Sequence, residues 1–339
     1  MHSHRQHPSN PGYHQTLIGK EGILRPPGAV PLTFLIALFF LLFLLPGSAL
    51  ASPDTPQVDN GLLDLSNWNS GTSESLQLNG GWDFYWGKYL PPTDWKKRLE
   101  SHNSNREAAT GASNVNNESR RTIRVPGSWT SAEENYPARG QASYRLIIEL
   151  PDDAIHEGLA LSLPTIGSAY KLYVNGELLH ALGNTDSTEE SMTEALKPAL
   201  VSLPPLQARN EILFHVANVE HRHAGLWLPI QLGSRELLTE ANQRSNALNL
   251  FLAGGLVLIG IYHLGLFLAR RKELTALYFG LFCLCVSVWS AQRTDKLFAQ
   301  LIPDLSGHIG LRLEYLGFYL SVFAFLQFAR HMYPGEMLQ

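Results

Sequence analysis

Apolar residues are distributed unevenly along the chain. Residues 32–45 form an almost unbroken apolar run, and 248–268, 274–291 and 311–329 form three more. The last three have the length and composition of membrane-spanning helices. Residues 52–240 between them are polar and rich in Gly, Pro and Asn, with short apolar-alternating runs at 143–150, 159–163, 169–174 and 211–219. Turn residues separate these runs and no long amphipathic pattern interrupts them, so this stretch predicts an all-β antiparallel sandwich. Asn175-Gly176 lies between two such runs, where a type I′ hairpin turn needs positive φ at both central positions. Residues 101–121 hold almost no large apolar side chain, and are read as a mobile loop inserted in the sandwich.

The early apolar run is preceded by Arg5, Lys20 and Arg25 and followed by Pro46-Gly47-Ser48-Ala49-Leu50-Ala51. A basic leader, an apolar centre and small residues at a cleavage site make residues 1–51 a secretory leader, with cleavage expected after Ala51. An uncleaved anchor is the alternative, and both place residues 52–245 outside the cytoplasm. Arg270-Arg271-Lys272 fills the short loop between the first two late runs. Basic loops stay on the cytoplasmic side, so the first helix runs inward, the second outward and the third inward again. The two arguments agree on topology. Arg312 and Glu314 stand near the outer end of the third helix, where an interfacial role is expected. The chain stops soon after that helix and is read as a fragment of a longer protein.

Composition adds little beyond exclusions. The net charge of -4 supplies no basic footprint for nucleic acid. Cys283 and Cys285 both sit in the second late run, so the sandwich has no disulfide and must be held by its core.

Several motifs follow one another in a telling order: Gly80-Gly81-Trp82-Asp83-Phe84-Tyr85-Trp86, Val125-Pro126-Gly127-Ser128-Trp129, Gly140-Gln141-Ala142-Ser143-Tyr144-Arg145, Leu172-Tyr173-Val174-Asn175-Gly176, and Gly225-Leu226-Trp227-Leu228-Pro229-Ile230. The order resembles the galactose-binding-like jelly roll that accompanies family 2 glycoside hydrolases. It resembles still more closely the external domain of bacterial seven-transmembrane receptors with diverse intracellular signalling modules. Gly260-Ile261-Tyr262-His263-Leu264 and Arg312-Leu313-Glu314-Tyr315-Leu316 are similar to the opening helices of that receptor bundle. The resemblance covers about residues 60–335. It implies a bacterial inner-membrane sensor with a periplasmic jelly roll. A small ligand, carbohydrate or similarly polar, would bind there and signal to a cytoplasmic module beyond this chain. This chain supplies three helices where the family has seven.

The candidate binding residues are His221, His223, Trp227, Trp129 and Arg145. In an extended segment His221 and His223 point to the same side. Aromatic rings on turns can stack on sugar faces, and a guanidinium donates to hydroxyls. Trp82, Phe84, Tyr85 and Trp86 are assigned to the core instead. No third ligand completes a metal site with the two histidines, and no cofactor is implied. No motif marks a catalytic carboxylate pair, a nucleophile elbow or a phosphate loop, so no catalysis is expected of this chain. The expected partners are a small ligand, the lipid bilayer and a second copy of the chain, to the exclusion of nucleic acid. An envelope-docking role with the helices as mere anchors is the rival reading.

Overall fold

The computed structural model describes residues 56–68, 75–100, 120–151, 156–166, 169–185, 197–218, 224–293 and 307–333. The leader, its cleavage site, His221, His223 and residues 101–119 of the loop expected at 101–121 lie outside the described residues, while Arg121 at the end of that stretch opens a strand.

Among the described residues eleven strands form two sheets. In the seven-stranded sheet β4 (Arg121–Val125), β3 (Gly80–Trp86), β5 (Gly140–Glu149), β10 (Arg209–Asn218), β7 (Ala169–Val174) and β8 (Glu177–Leu182) lie side by side. These pairings are antiparallel. β1 (Leu62–Asp64) adds a parallel pair at the far end of β5. The four-stranded sheet runs β2 (Leu76–Gln77), β11 (Gln231–Ser234), β6 (Leu159–Leu163) and β9 (Ala199–Ser202), again antiparallel. Alternation decides the faces. Trp82, Phe84, Tyr144, Leu146, Ile212 and Phe214 of the large sheet share one buried cluster with Leu161, Leu163 and Leu232 of the small one. The two sheets therefore close on a single core, as period-two patterning requires. The turn joining β7 to β8 has Asn175 at φ +49 and Gly176 at φ +83, the type I′ geometry that its two residues favour.

Among the described residues three helices follow, each long and apolar enough to cross a membrane: α1 (Arg235–Ala269), α2 (Leu274–Arg293) and α3 (Gly307–Met332). Small residues let them approach closely. A Cβ on Gly260 of α1 would stand 3.1 Å from the Gly280 carbonyl of α2, and one on Gly317 of α3 would stand 3.0 Å from the Cys285 carbonyl. Ser287 of α2 donates to the Ala253 carbonyl of α1 at 3.0 Å. Phe279–Phe328 and Phe282–Phe325 contacts, at 5.2 and 5.6 Å, join α2 to α3. Cys283 and Cys285 are free thiols on α2.

One boundary differs from the sequence reading. The sheet domain ends at Ser234 rather than near 240, and α1 starts at Arg235, thirteen residues before the apolar run at 248. Ser234 closes β11 and also caps α1, its hydroxyl accepting from the Leu237 N–H at 3.2 Å. Such a cap satisfies one of the unpaired N–H groups of a helix start. Residues 235–247 are polar because one flank alone of this part of the helix is covered, chiefly through Leu238.

Candidate functional site

The segment 224–229 that sequence reasoning singled out is tied to the turn after β4. Gly127 N–H donates to the Leu226 carbonyl at 2.9 Å and Trp129 N–H to the Ala224 carbonyl at 3.2 Å. The Ser128 hydroxyl donates to the Ala224 carbonyl at 3.0 Å and accepts from the Ala224 N–H at 3.1 Å. The structure thus sets the Trp129 turn against Ala224, Gly225 and Leu226. It does so inside the domain. Trp129 is 0% exposed, its indole N–H donates to the Pro137 carbonyl at 2.9 Å, and its ring meets Trp86 edge-on at 5.2 Å. Phe84, Tyr136 and Tyr144 complete the cluster. No ring face of Trp129 is open for stacking a ligand. The turn folds back over the end of the sandwich, and the largest apolar side chain in it closes the core. Gly225, at φ +94, lets the opposing segment pass. A Cβ there would run into the Tyr144 hydroxyl and stand 3.1 Å from Trp129 Cε3. Trp227 is half-buried.

Arg145 is not part of that assembly. It follows Tyr144 on β5 and so points to the opposite face of the large sheet. There it is 4% exposed within an ion network that the sequence did not announce. Its Nε donates to Glu211 at 2.7 Å and its Nη1 to Asp83 at 2.9 Å. Arg98 donates from Nε to Glu211 at 2.9 Å and adds a second, short bond from Nη2. Arg120 donates to Asp83 at 2.8 Å. Three guanidiniums thus share two carboxylates that are themselves at most 1% exposed. Burial raises the Asp83 carboxyl against the pull of Arg120 and Arg145, while Glu211 and Asp83 outweigh burial to raise the Arg145 guanidinium.

The two carboxylates are buried in part because residues 87–100 lie across this face. Ser143 donates to the Lys88 carbonyl at 2.8 Å and accepts from the Leu90 N–H at 3.0 Å. Trp95 packs against Gly176 of the hairpin. Tyr89 stacks on His215 at 4.6 Å, and His215 Nε2 lies 2.8 Å from the Leu90 carbonyl. Burial pushes His215 down to about 4, the Leu90 carbonyl opposing and Lys171 and Arg98 reinforcing. A neutral His215 that must charge on unfolding makes the domain acid-sensitive. Between the ordinary imidazole value and pH 4 the unfolded chain takes up the proton first, so stability falls as pH falls. The slope approaches about 1.4 kcal/mol per pH unit, or about 3 kcal/mol in all. His180, also lowered by burial, acts in the same direction. Melts of wild type and His215→Gln between pH 7.5 and 4.5 test this. The variant should lose less stability on acidification, and equal losses would refute the assignment.

A surface cleft of about 1050 Å3 opens beside the Trp129 turn, along the β3–β4 edge. Arg124, Asn79, Ser131, Glu133 and Tyr136 line it, with Phe84 in its floor. Arg121 and Glu134 bridge across part of it at 2.9 Å, both well exposed, so the bridge is weak and easily exchanged for a ligand. Mixed hydrogen-bonding groups beside aromatic rings suit a small polar molecule. Among the described residues no cluster of His, Cys, Asp and Glu could hold a metal ion.

A two-sheet domain capped onto a bundle of membrane-length helices defines the class: a polytopic membrane protein whose described helices follow a folded sheet domain. Residues 245–337 match the family described as 7TM diverse intracellular signalling. Among solved structures the chain is similar to a GH2 β-galacturonidase from Eisenbergiella tayi bound to galacturonate, at 15% identity and a TM-score of 0.30, over 48% of this chain and 24% of that one. It is also similar to the Ruminococcus gnavus β-glucuronidase, at 15% identity and a TM-score of 0.30, over 47% of this chain and 28% of that one. The chain spans about a quarter of the length of these enzymes. A search of curated proteins gives no match.

Proposed function

We propose that the chain is the sensing part of a bacterial inner-membrane receptor. In this reading the sheet domain is a galactose-binding-like jelly roll on the periplasmic side. It takes up a small polar ligand of carbohydrate character in the cleft beside the Trp129 turn, and α1 carries the response through the membrane helices toward a cytoplasmic signalling module. The arrangement needs no catalysis from this chain.

The observation that supports it best is the junction. β11 passes into α1 at Ser234 with no linker, and the first turn is fastened to the sheet domain by an Arg235 N–H bond to the Gly158 carbonyl at 2.8 Å. A helix of 35 residues is about 52 Å long, against about 30 Å for the hydrocarbon core of a bilayer. The surplus stands outside as a rigid lever. Flexible linkers dissipate displacement, whereas a continuous helix passes it on. A ligand shifts the two states only through its differential affinity for them, and a domain fused to the lever is placed to convert that difference.

Two measurements test the reading. A reporter enzyme active only outside the cytoplasm should be active when fused after Asn242 and silent after Lys272; the reverse pattern refutes the topology. In nanodiscs, a carbohydrate panel should contain a member that raises the melting temperature by several degrees, and Arg124→Ala with Tyr136→Ala should abolish that rise. If no member shifts the melt, the ligand reading falls and docking of another envelope protein takes its place.

A further inference from the structure

Where α1 leaves the sheet domain it crosses the outer face of the small sheet at an angle. At the near end the two touch. Leu238 is 1% exposed and its Cγ lies 3.6 Å from where a Cβ on Gly233 would stand. Gly233 pairs with Ala160 across β11 and β6, so the sheet offers little side-chain bulk at this point. Farther along, the register sets Gln231, Ser162 and Leu200 side by side across β11, β6 and β9. Their neighbours Leu232, Leu161 and Val201 belong to the core, so this row faces outward, toward the helix. Asn242 and Asn246, one helical turn apart on α1, line the other side. Between helix and row lies a cavity of about 400 Å3.

Its chemistry is selective. The polar groups are the amides of Gln231, Asn242 and Asn246 and the hydroxyls of Ser162 and Thr165, and every other lining side chain is leucine, proline or alanine. None is ionisable. Amides and hydroxyls donate and accept hydrogen bonds alike, which suits a ligand that does both. A charged occupant would lose its hydration with no opposite charge to replace it. The volume falls in the range of small-molecule sites. The surface cleft beside the Trp129 turn, by contrast, is lined by arginines and glutamates.

We propose that this wedge is a second binding site, for a neutral hydroxyl-rich molecule of monosaccharide size, and that its occupant sets the angle between the small sheet and α1. The wedge has one fixed corner, the Leu238–Gly233 contact, and one open side. Filling the open side resists closure of the helix onto the sheet, and emptying it allows that closure. The site is distinct from the cleft and stands whether or not the cleft takes a sugar.

The full chain in nanodiscs is titrated with glucose and N-acetylglucosamine as neutral probes and glucuronate as the charged counterpart. Spin labels at the exposed positions Ser202 on β9 and Gln243 on α1 report the sheet-to-helix distance. At least one neutral probe should bind and shift that distance, and glucuronate should bind at least tenfold more weakly. Ser162→Trp, which fills the cavity, should weaken binding at least tenfold. Asn246→Leu, on the helix and remote from the sheet core, should weaken it as well without disturbing the fold. The proposal is overturned if neither neutral probe binds, if glucuronate binds as well as they do, or if binding survives both substitutions. Survival in both with loss in Arg124→Ala would assign the sugar to the cleft, overturning the wedge and leaving the receptor reading intact. Binding that both substitutions remove, with no change in the label distance, would overturn the coupling.

Discussion

Glu211→Ala should destabilise the sheet domain by about 3–5 kcal/mol, lowering its melting temperature by roughly 10 °C. Glu211 accepts from Arg98 and Arg145 together. Removing it takes one of two carboxylates from three guanidiniums and leaves Arg145 to Asp83 alone, in a layer that residues 87–100 largely cover, so the cost approaches that of breaking a buried ion pair. The converse substitution discriminates. In Glu211→Leu with Arg145→Leu, the main buried pair is replaced by apolar side chains of comparable bulk, and such replacements are often neutral. The double variant should therefore lose less than the sum of the singles, with a coupling of at least 1 kcal/mol in the cycle. Urea melts of wild type, Glu211→Leu, Arg145→Leu and the double variant give the result. A single Glu211→Ala variant within 1 kcal/mol of wild type would show that the layer is wet and the network weak.

The same network marks the limit of what the sequence discloses. Strand residues facing the core were legible, because alternation in 143–150, 159–163, 169–174 and 211–219 foretold β5, β6, β7 and β10 to within a few residues. Alternation gives no account of the charged residues at the intervening positions, and Arg145 among them reads as a ligand contact. Asp83, Arg145 and Glu211 are such positions, and what buries them is an irregular segment forty-five or more residues away from Arg145 and Glu211 along the chain, whose path no periodicity encodes. One signal was present: Asp83 and Arg145 are register partners across β3 and β5, opposite charges on one face. Reading it requires knowing that those strands pair. The start of α1 was hidden for a related reason. An apolar run fixes where a helix meets lipid, and says nothing of how far its polar extension continues. Ser234 followed by Glu236 and Leu238 is a helix-start pattern, visible once the strand before it is known to end there. Of the aromatic motif at 82–86, Trp82 and Phe84 are core and Trp86 packs against it, whereas Tyr85, assigned with them, falls on the opposite face beside Asp83 and Arg145, as strand alternation requires. Trp129 escaped that logic because it lies on a turn, where no periodicity indicates which side is inside.

Trp129→Ala should also cost about 3–5 kcal/mol, the range for deleting a fully buried aromatic ring. The indole is enclosed by Trp86, Phe84, Tyr136 and Tyr144, and its removal leaves a cavity at the end of the sandwich that the Ser128–Ala224 bonds prevent from collapsing. A stacking platform would behave differently: truncation would leave the melt nearly unchanged and remove sugar binding. Trp129→Phe separates these further, since it keeps an aromatic face and loses the N–H bond to Pro137 together with part of the ring volume. It should still destabilise the domain measurably, where a platform would tolerate it. Gly225→Val attacks the same cluster from the opposite segment. It imposes a β-branched side chain at φ +94 and drives it toward Tyr144 and Trp129, so overpacking and backbone strain add to about 2–5 kcal/mol. Both substitutions should lower the melting temperature and the near-ultraviolet circular dichroism together. If Trp129→Ala abolishes sugar binding while the melt stays within a degree of wild type, the ring is a binding surface and its enclosure is wrong.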